Sequence, residues 1–498
     1  MSSTPASNDK QPAAAKGPMP GGPMKGDLTQ GPIMPTLLLF SVPTLLSSVL
    51  QSLNGTINSI WVGRLIGEEA LAATANANII MFLMSAAAFG LGMAGTVKIG
   101  QRFGARNIDG ARRTFGTAVG FSFIVMTVIA AIGFAFTGPL LDLLGTPGAA
   151  WQLAFDYLRM LFVSMPVVMA SIILQMGLRG SGDARTPLIF MGLTVVLDLV
   201  FNPILITGWG PFPELGITGS ALSMVIAAVT SFIAMVIYLY AKDLPLRLRG
   251  PEIAYLKPDS EELKYIISKG VPMGAQMLVV SAAGIIMVGL VNQEGLLMAA
   301  AYGAVMQLFT YIQMPAMAIG GAVSAMAAQY IGASKWEGMK DLTRAGLIVQ
   351  FVMTGAVTVL LLLFDRPVLV LFLGPDSPAV PLAQHMQLLA SWNFVIFGVT
   401  MILTSIMRAG GVVWLPLGIL FVSLYPVRLG FYYLTYDALA ADAIWWSYPV
   451  SALAALLLAW WAFVMPGWRA RARAESAEEA MEKAHADGEP TGRMNPDL

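Results

Sequence analysis

Apolar runs alternate with short polar stretches along nearly the whole chain, at approximately 36–63, 70–98, 114–137, 151–177, 187–208 and 217–241, then 265–292, 297–328, 343–364, 383–407, 414–436 and 442–466. A helix needs roughly 20 apolar residues to cross about 30 Å of hydrocarbon. The pattern therefore predicts six membrane-spanning helices in each half and twelve in all. Strands of a membrane barrel would alternate apolar and polar residues over about ten positions. These runs are apolar for about twice that length, which excludes a barrel.

The two halves repeat one another. Val42-Pro43, the QxxGAxxxxG tract of Gln101, Gly104, Ala105 and Gly110, and the RxxGxxxxP tract of Arg179, Gly182 and Pro187 return in the same order. They return as Val271-Pro272, then Gln329, Gly332, Ala333 and Gly338, then Arg408, Gly411 and Pro416, at offsets of 229, 228 and 229. Three matching offsets mark an internal duplication. An even number of spans per copy inserts both copies in the same direction, so the expected fold is an all-α membrane protein. Its two six-helix lobes would be related by a pseudo-twofold axis along the membrane normal, with a cleft between them.

Composition agrees, with 56% hydrophobic and 12% charged residues and a mean hydropathy of +0.70. Net charge is zero but sorted in space. Of 29 Lys and Arg, Arg159 and Arg428 fall within spans and Arg64 and Arg366 on one side, leaving 25 on the other. By the positive-inside rule both termini are cytoplasmic. The expected organisation is a disordered tail over 1–34, an N-lobe over 35–241, a linker over 242–264, a C-lobe over 265–466 and a second cytoplasmic tail over 467–498. No cleavable signal peptide is expected ahead of the first span. The chain has no cysteine, which removes disulfides and thiol chemistry. Its two histidines, His385 and His485, are too far apart in sequence to suggest a metal site. No Walker A tract is present, so gradients or partners must drive any work. A membrane-embedded enzyme would need clustered His, Asp or Glu at catalytic spacing, and the spans carry none. The expected protein is not an enzyme and uses no cofactor.

Polar residues inside spans are costly in lipid and normally face protein or water. In the first helix Ser47, Gln51, Asn54 and Asn58 share one face, and in the fifth Thr194, Asp198 and Asn202 do so. Asp198 lies about 16 Å below Pro187 at 1.5 Å per residue, near the midplane. Desolvation penalises the charged form of an unneutralised acid, so Asp198 could load and release a proton. Amide oxygens of Asn58 and Asn202 could instead help it hold Na⁺. The second half has no matching acid. Val427 occupies the position 229 beyond Asp198, and the next residue is Arg428. Asp198 and Arg428 would face one another across the cleft if both turn inward, with Arg428 acting on Asp198 or meeting an anionic substrate; a local salt bridge or a snorkelling contact is the competing reading. Asp156, Tyr157 and Arg159 form a compact group in the fourth helix, with an internal ion pair expected.

Further tracts carry a resemblance: Asn58 to Gly63 (NSIWVG), Ala70 to Ala73 (ALAA), the two QxxGA tracts, Leu178 to Asp183 (LRGSGD), Asn202-Pro203, Leu215 to Ala221 (LGITGSA) and Ile444 to Ser447 (IWWS). Taken in order over about residues 35–466, they resemble the multidrug and toxic compound extrusion family, nearest to its DinF-like and archaeal branch. The resemblance implies export of organic, often cationic and aromatic compounds in exchange for H⁺ or Na⁺ by alternating access. It adds Tyr157 to Asp198, Asn58 and Asn202 as the expected cation-coupling group, and matches Gln51 to a cleft-facing glutamine, beside Asn54 and Arg428 as the other expected cleft residues. That branch carries an acid at the Asn58 position and an Asn-to-Asp order where this chain has Asp198 then Asn202, so the acid has moved within one pocket. Small organic molecules and membrane lipid, not nucleic acid, are the expected partners of a monomer in the inner membrane. A lipid or lipid-linked oligosaccharide flippase is the alternative of similar architecture.

Overall fold

The computed structural model describes residues 26–146, 148–474 and 477. Among these, twelve helices are long and apolar enough to cross a membrane. They are α1 (Ile33–Leu65), α2 (Glu68–Gly104), α3 (Ile108–Ala135), α4 (Gly148–Gly180), α5 (Arg185–Thr207), α6 (Gly216–Ala241), α7 (Ser260–Gln293), α8 (Leu296–Gly332), α9 (Gly338–Leu363), α10 (Ala379–Ala409), α11 (Trp414–Leu439) and α12 (Asp442–Val464). The twelve expected runs all become helices. Several extend past their apolar segments, α2 and α8 to 37 residues each. Two spans of the second half are irregular. α10 is interrupted at Ser391, and α11 contains a π-helical turn over Ser423–Val427.

Packing follows the duplication. α1 packs on α5 within its lobe and on α8 of the other, while α7 packs on α11 and on α2. The lobes meet most closely at the face where Leu28 and Ala472 lie, here the terminal face. There each QxxGA tract meets the other. Gln101 Nε2 donates to Ala409 O at 2.8 Å, and Gln329 Nε2 donates to Gly180 O at 3.1 Å, partners that are 229 residues apart. A Cβ on Gly104 would lie 2.1 Å from Gln329 O, and one on Gly332 would lie 1.8 Å from Gln101 O, so only glycine admits this approach of backbones. Higher on α2, a Cβ on Gly90 would meet Gly270 O of α7 at 2.3 Å. Nearer the opposite face α2 exposes Leu71, Ile79, Phe82 and Leu83, and α8 exposes Leu296, Leu297, Met306 and Tyr311. The lobes are sealed at the terminal face.

The disordered tail expected over 1–34 is corrected in its last part. α1 begins at Ile33, and the residues just before it dock at the seam: Leu28 N–H donates to Gln329 Oε1 at 2.8 Å, and Lys335 Nζ donates to Thr29 O at 3.0 Å. Backbone groups buried at an interface must find partners, which the second glutamine supplies. Residues 1–25 of that tail lie outside the described residues, as do most of 467–498 and with them His485.

The linker packs as well as connects. Its 3₁₀ helix, Gly250–Leu256, lies on α3, where Arg112 pairs with Glu252 at 2.7 Å. α7 then starts at Ser260, five residues ahead of the apolar run expected from 265, and this first turn is tied to the N-lobe. Asp259 caps that turn, accepting from Glu261 N–H and Glu262 N–H. Glu262 is 2% exposed and pairs with Arg102 at 2.5 Å, and Thr114 donates to its second oxygen at 2.9 Å. Removing one member of a buried ion pair costs about 3–5 kcal/mol. Glu262→Gln is therefore expected to lower stability by about that amount, read as a drop in the thermal midpoint of the purified protein; an unchanged midpoint would show that the pair does not anchor α7.

Candidate functional site

Four residues expected to act together meet inside the N-lobe. Asp198 and Asn202 lie one helical turn apart on α5, facing Asn58 of α1 and Tyr157 of α4, and all four are 3% exposed or less. Asn202 Nδ2 donates to Asn58 Oδ1 at 2.8 Å, and Asn58 Nδ2 donates to Tyr157 Oη at 3.3 Å. Asp198 is linked through Oδ1, which accepts from Ser223 Oγ at 2.6 Å and more weakly from Asn202 Nδ2 at 3.4 Å.

The electrostatics of the cluster are unbalanced. Every partner of Asp198 is neutral, and its Oδ2 is buried with no hydrogen-bond donor; Asn202 Oδ1 is in the same position. Taking an ion out of water costs several kcal/mol after relaxation. One hydrogen bond to a charged group returns only about 1.5–3 kcal/mol. A proton on the carboxyl group, or a cation between these oxygens, would supply what the protein does not. The other buried acid among the described residues, Glu262, already has its arginine.

Two members of this cluster escaped the sequence reading. Ser220 Oγ donates to Asn58 Oδ1 at 2.6 Å, and Ser223 is the strongest partner of Asp198. Both lie on α6, three residues apart and fully buried. Their signal was present, since Ser220 belongs to the LGITGSA tract, but a serine in a span commonly bonds its own helix backbone and gives no mark of doing otherwise. Thr194 shows that default: it shares a face with Asp198 by spacing, yet its hydroxyl bonds Phe190 O. Along α1 the expected polar face also divides. Asn58 is buried in the cluster, Asn54 is half-buried with its Oδ1 unpartnered, and Gln51 is exposed.

Arg428 does not meet Asp198. It turns into the C-lobe, where Nε and Nη2 donate to Ser451 Oγ at 3.0 and 2.8 Å and the guanidinium lies 4.3 Å from the Tyr448 ring centre. Neither a local salt bridge nor snorkelling describes it, since it is 8% exposed and has no acid partner among the described residues. A stacked aromatic ring offers about 2 kcal/mol when desolvated, less than the cost of burying the ion. The expected ion pair of the Asp156 group is also absent: Asp156 accepts from Gln152, and Arg159 stacks 3.9 Å from the Phe134 ring centre.

No three His, Cys, Asp or Glu side chains are grouped to hold a metal among the described residues.

Comparison with known proteins agrees with this architecture. The MatE family model matches the chain twice, over residues 43–204 and 272–434, one match per half. The "Probable multidrug resistance protein YoeA" of Bacillus subtilis is 34% identical over 85% of this chain and 92% of its own length. The "Probable multidrug resistance protein YpnP" of the same organism is 29% identical over 81% and 89%. A solved structure described as the "Outward-facing conformation of a multidrug resistance MATE family transporter of the MOP superfamily" superposes with a TM-score of 0.82 at 22% identity, covering 91% of this chain and 99% of that one. Twice-matched by the family model and built of twelve apolar helices in two like halves, this chain belongs to the MATE family of integral membrane transporters.

Proposed function

We propose that the protein exports organic small molecules, including cationic and aromatic compounds, in exchange for H⁺ or Na⁺, by rocking between states open to opposite sides of the membrane. The reading rests on one observation: a fully buried carboxylate, Asp198, surrounded by neutral oxygen and nitrogen groups and with Oδ2 unsatisfied. Loading a proton, or a Na⁺ shared with Asn58 and Asn202 oxygens, cancels the charge and lets α1, α4, α5 and α6 pack around a neutral centre. Losing it favours a state that admits water to the cluster. A ligand shifts two states only by binding them differently. The coupling ion does this at Asp198. The cleft, bordered by Gln51 and Asn54 on α1, would carry the cargo. The seal at the terminal face matches the arrangement expected of a state open at the other side. With 25 Lys and Arg on the terminal side and two on the other, the termini face the cytoplasm across the inner membrane. Such a device is a carrier rather than an enzyme.

The test is efflux of a fluorescent organic cation from proteoliposomes under an imposed pH gradient and, separately, an imposed Na⁺ gradient. Acceleration by one gradient is the expected result, and it identifies the ion. Equal rates with and without both gradients would overturn the coupling.

A further inference from the structure

Arg428 holds in the C-lobe the place that Asp198 holds in the N-lobe. Pro416 lies 229 residues beyond Pro187, a count that sets Asp198 against Val427, one residue short of the arginine. The π-helical turn Ser423–Val427 supplies the missing step. A π turn bonds i to i+5 and so accommodates one residue more than an α turn, and such bulges are frequent at functional sites. The family matches agree, ending at 204 in the first half and 434 in the second after starting at 43 and 272, so the second is longer by one. The contacts agree as well. Asp198 accepts from Ser223 on α6, and Arg428 donates to Ser451 on α12, the serine 228 residues later.

The two lobes thus present opposite charges at equivalent positions, and neither is neutralised by the protein. A guanidinium keeps its charge in any protein setting, and a buried charge calls for a partner. The partners of Arg428 are a hydroxyl and a ring face, which leaves Nη1 without an acceptor among the described residues. A second free donor lies beside it. Tyr302 and Tyr448 bond to each other through their hydroxyls at 2.7 Å, which occupies one of their two protons and leaves the other for an outside acceptor. Arg428 keeps 8% exposure where Asp198 has none, so its guanidinium is not wholly enclosed. Its surroundings are aromatic: Trp445 lies 5.7 Å from Tyr302 between ring centres, and Phe309 lies 6.2 Å from Tyr448.

We propose that the C-lobe carries an anion site, in which Arg428 and the Tyr302–Tyr448 pair bind the carboxylate of an aromatic organic acid. The acid would enter as cargo, and in this respect the proposal rests on the transport reading above. It differs in its test, which needs no gradient. Purified full-length protein is titrated with 1-naphthoate by calorimetry, with 1-naphthylmethylammonium and chloride as competitors.

The expected result is saturable naphthoate binding, weakened at least tenfold in Arg428→Gln and severalfold in Tyr302→Phe, with partial retention in Arg428→Lys. Neither competitor should displace it at equal concentration. Each variant is first checked for a single monodisperse elution peak; should Arg428→Gln fail that check, Tyr302→Phe and the competitor series decide. Absence of saturable binding in the parent protein would overturn the site, as would unchanged affinity in the folded variants. Displacement by equimolar chloride would overturn the assignment to an organic acid. Binding without ion-driven efflux would sink the coupling reading and leave this site standing.

Discussion

Asp198→Asn is expected to reduce ion-driven efflux from proteoliposomes at least tenfold while the protein folds and elutes as the parent does. The substitution keeps the shape of the side chain, and the amide oxygen can still accept from Ser223 Oγ, now 2.6 Å from Asp198 Oδ1. What it removes is the ability to change charge. Only two carboxylates are buried among the described residues, and Glu262 is paired with Arg102, so no second unneutralised acid stands ready to replace Asp198. A tenfold loss corresponds to about 1.4 kcal/mol of differential ion binding between the two states, a modest demand on a charge whose burial costs several kcal/mol. Stability should stay level or rise, because an amide without a partner costs less to bury than an ion without one. If the coupling ion is H⁺, the parent's efflux should depend on pH and the variant's residual efflux should not. Full-rate, gradient-dependent export by a folded Asp198→Asn protein would remove this residue from the mechanism.

Gly104→Val and Gly332→Val are expected to unseat the seal between the lobes. Added Cβ atoms would fall 2.1 Å from Gln329 O and 1.8 Å from Gln101 O, and backbone atoms, unlike the end of a flexible side chain, cannot step aside alone. Overpacking typically costs about 1–3 kcal/mol. If that penalty exists only while the seam is closed, it shifts the balance of sealed and open states by about 5- to 150-fold. The chain has no cysteine, so a single reporter can be placed without background. Ser324→Cys, on α8 at a position 1% exposed, should react with an impermeant maleimide faster in either glycine variant than alone. Gly303→Val on the same helix, where an added Cβ meets nothing within 4 Å, should leave the rate unchanged. Equal labelling in all four proteins would show that the seam is not a gate.

Twelve spans, their pairing into two like halves and the acid worth watching can all be read from residue order, because helix length, repeat offset and the rarity of a mid-membrane carboxylate are properties of the chain alone. The spacing of Asp198 and Asn202 on one helix face is such a property, as is the polar face of the first helix that offered Asn58, and the family resemblance added Tyr157 on a third helix. Partner choice is not. Whether the hydroxyl of Ser223 or Thr194 reaches Asp198 depends on how α5 and α6 rotate against each other, and both residues look alike in sequence. Arg428 makes the same point more sharply. Counting sets it one place from the acid's equivalent and allows it to face the cleft, whereas a π turn of five residues rotates it onto register and into Ser451. Residue order determined which groups lie at which depth; three-dimensional packing alone decided which of them meet, because side-chain contacts between helices depend on rotation and close approach, and neither leaves a period in the chain.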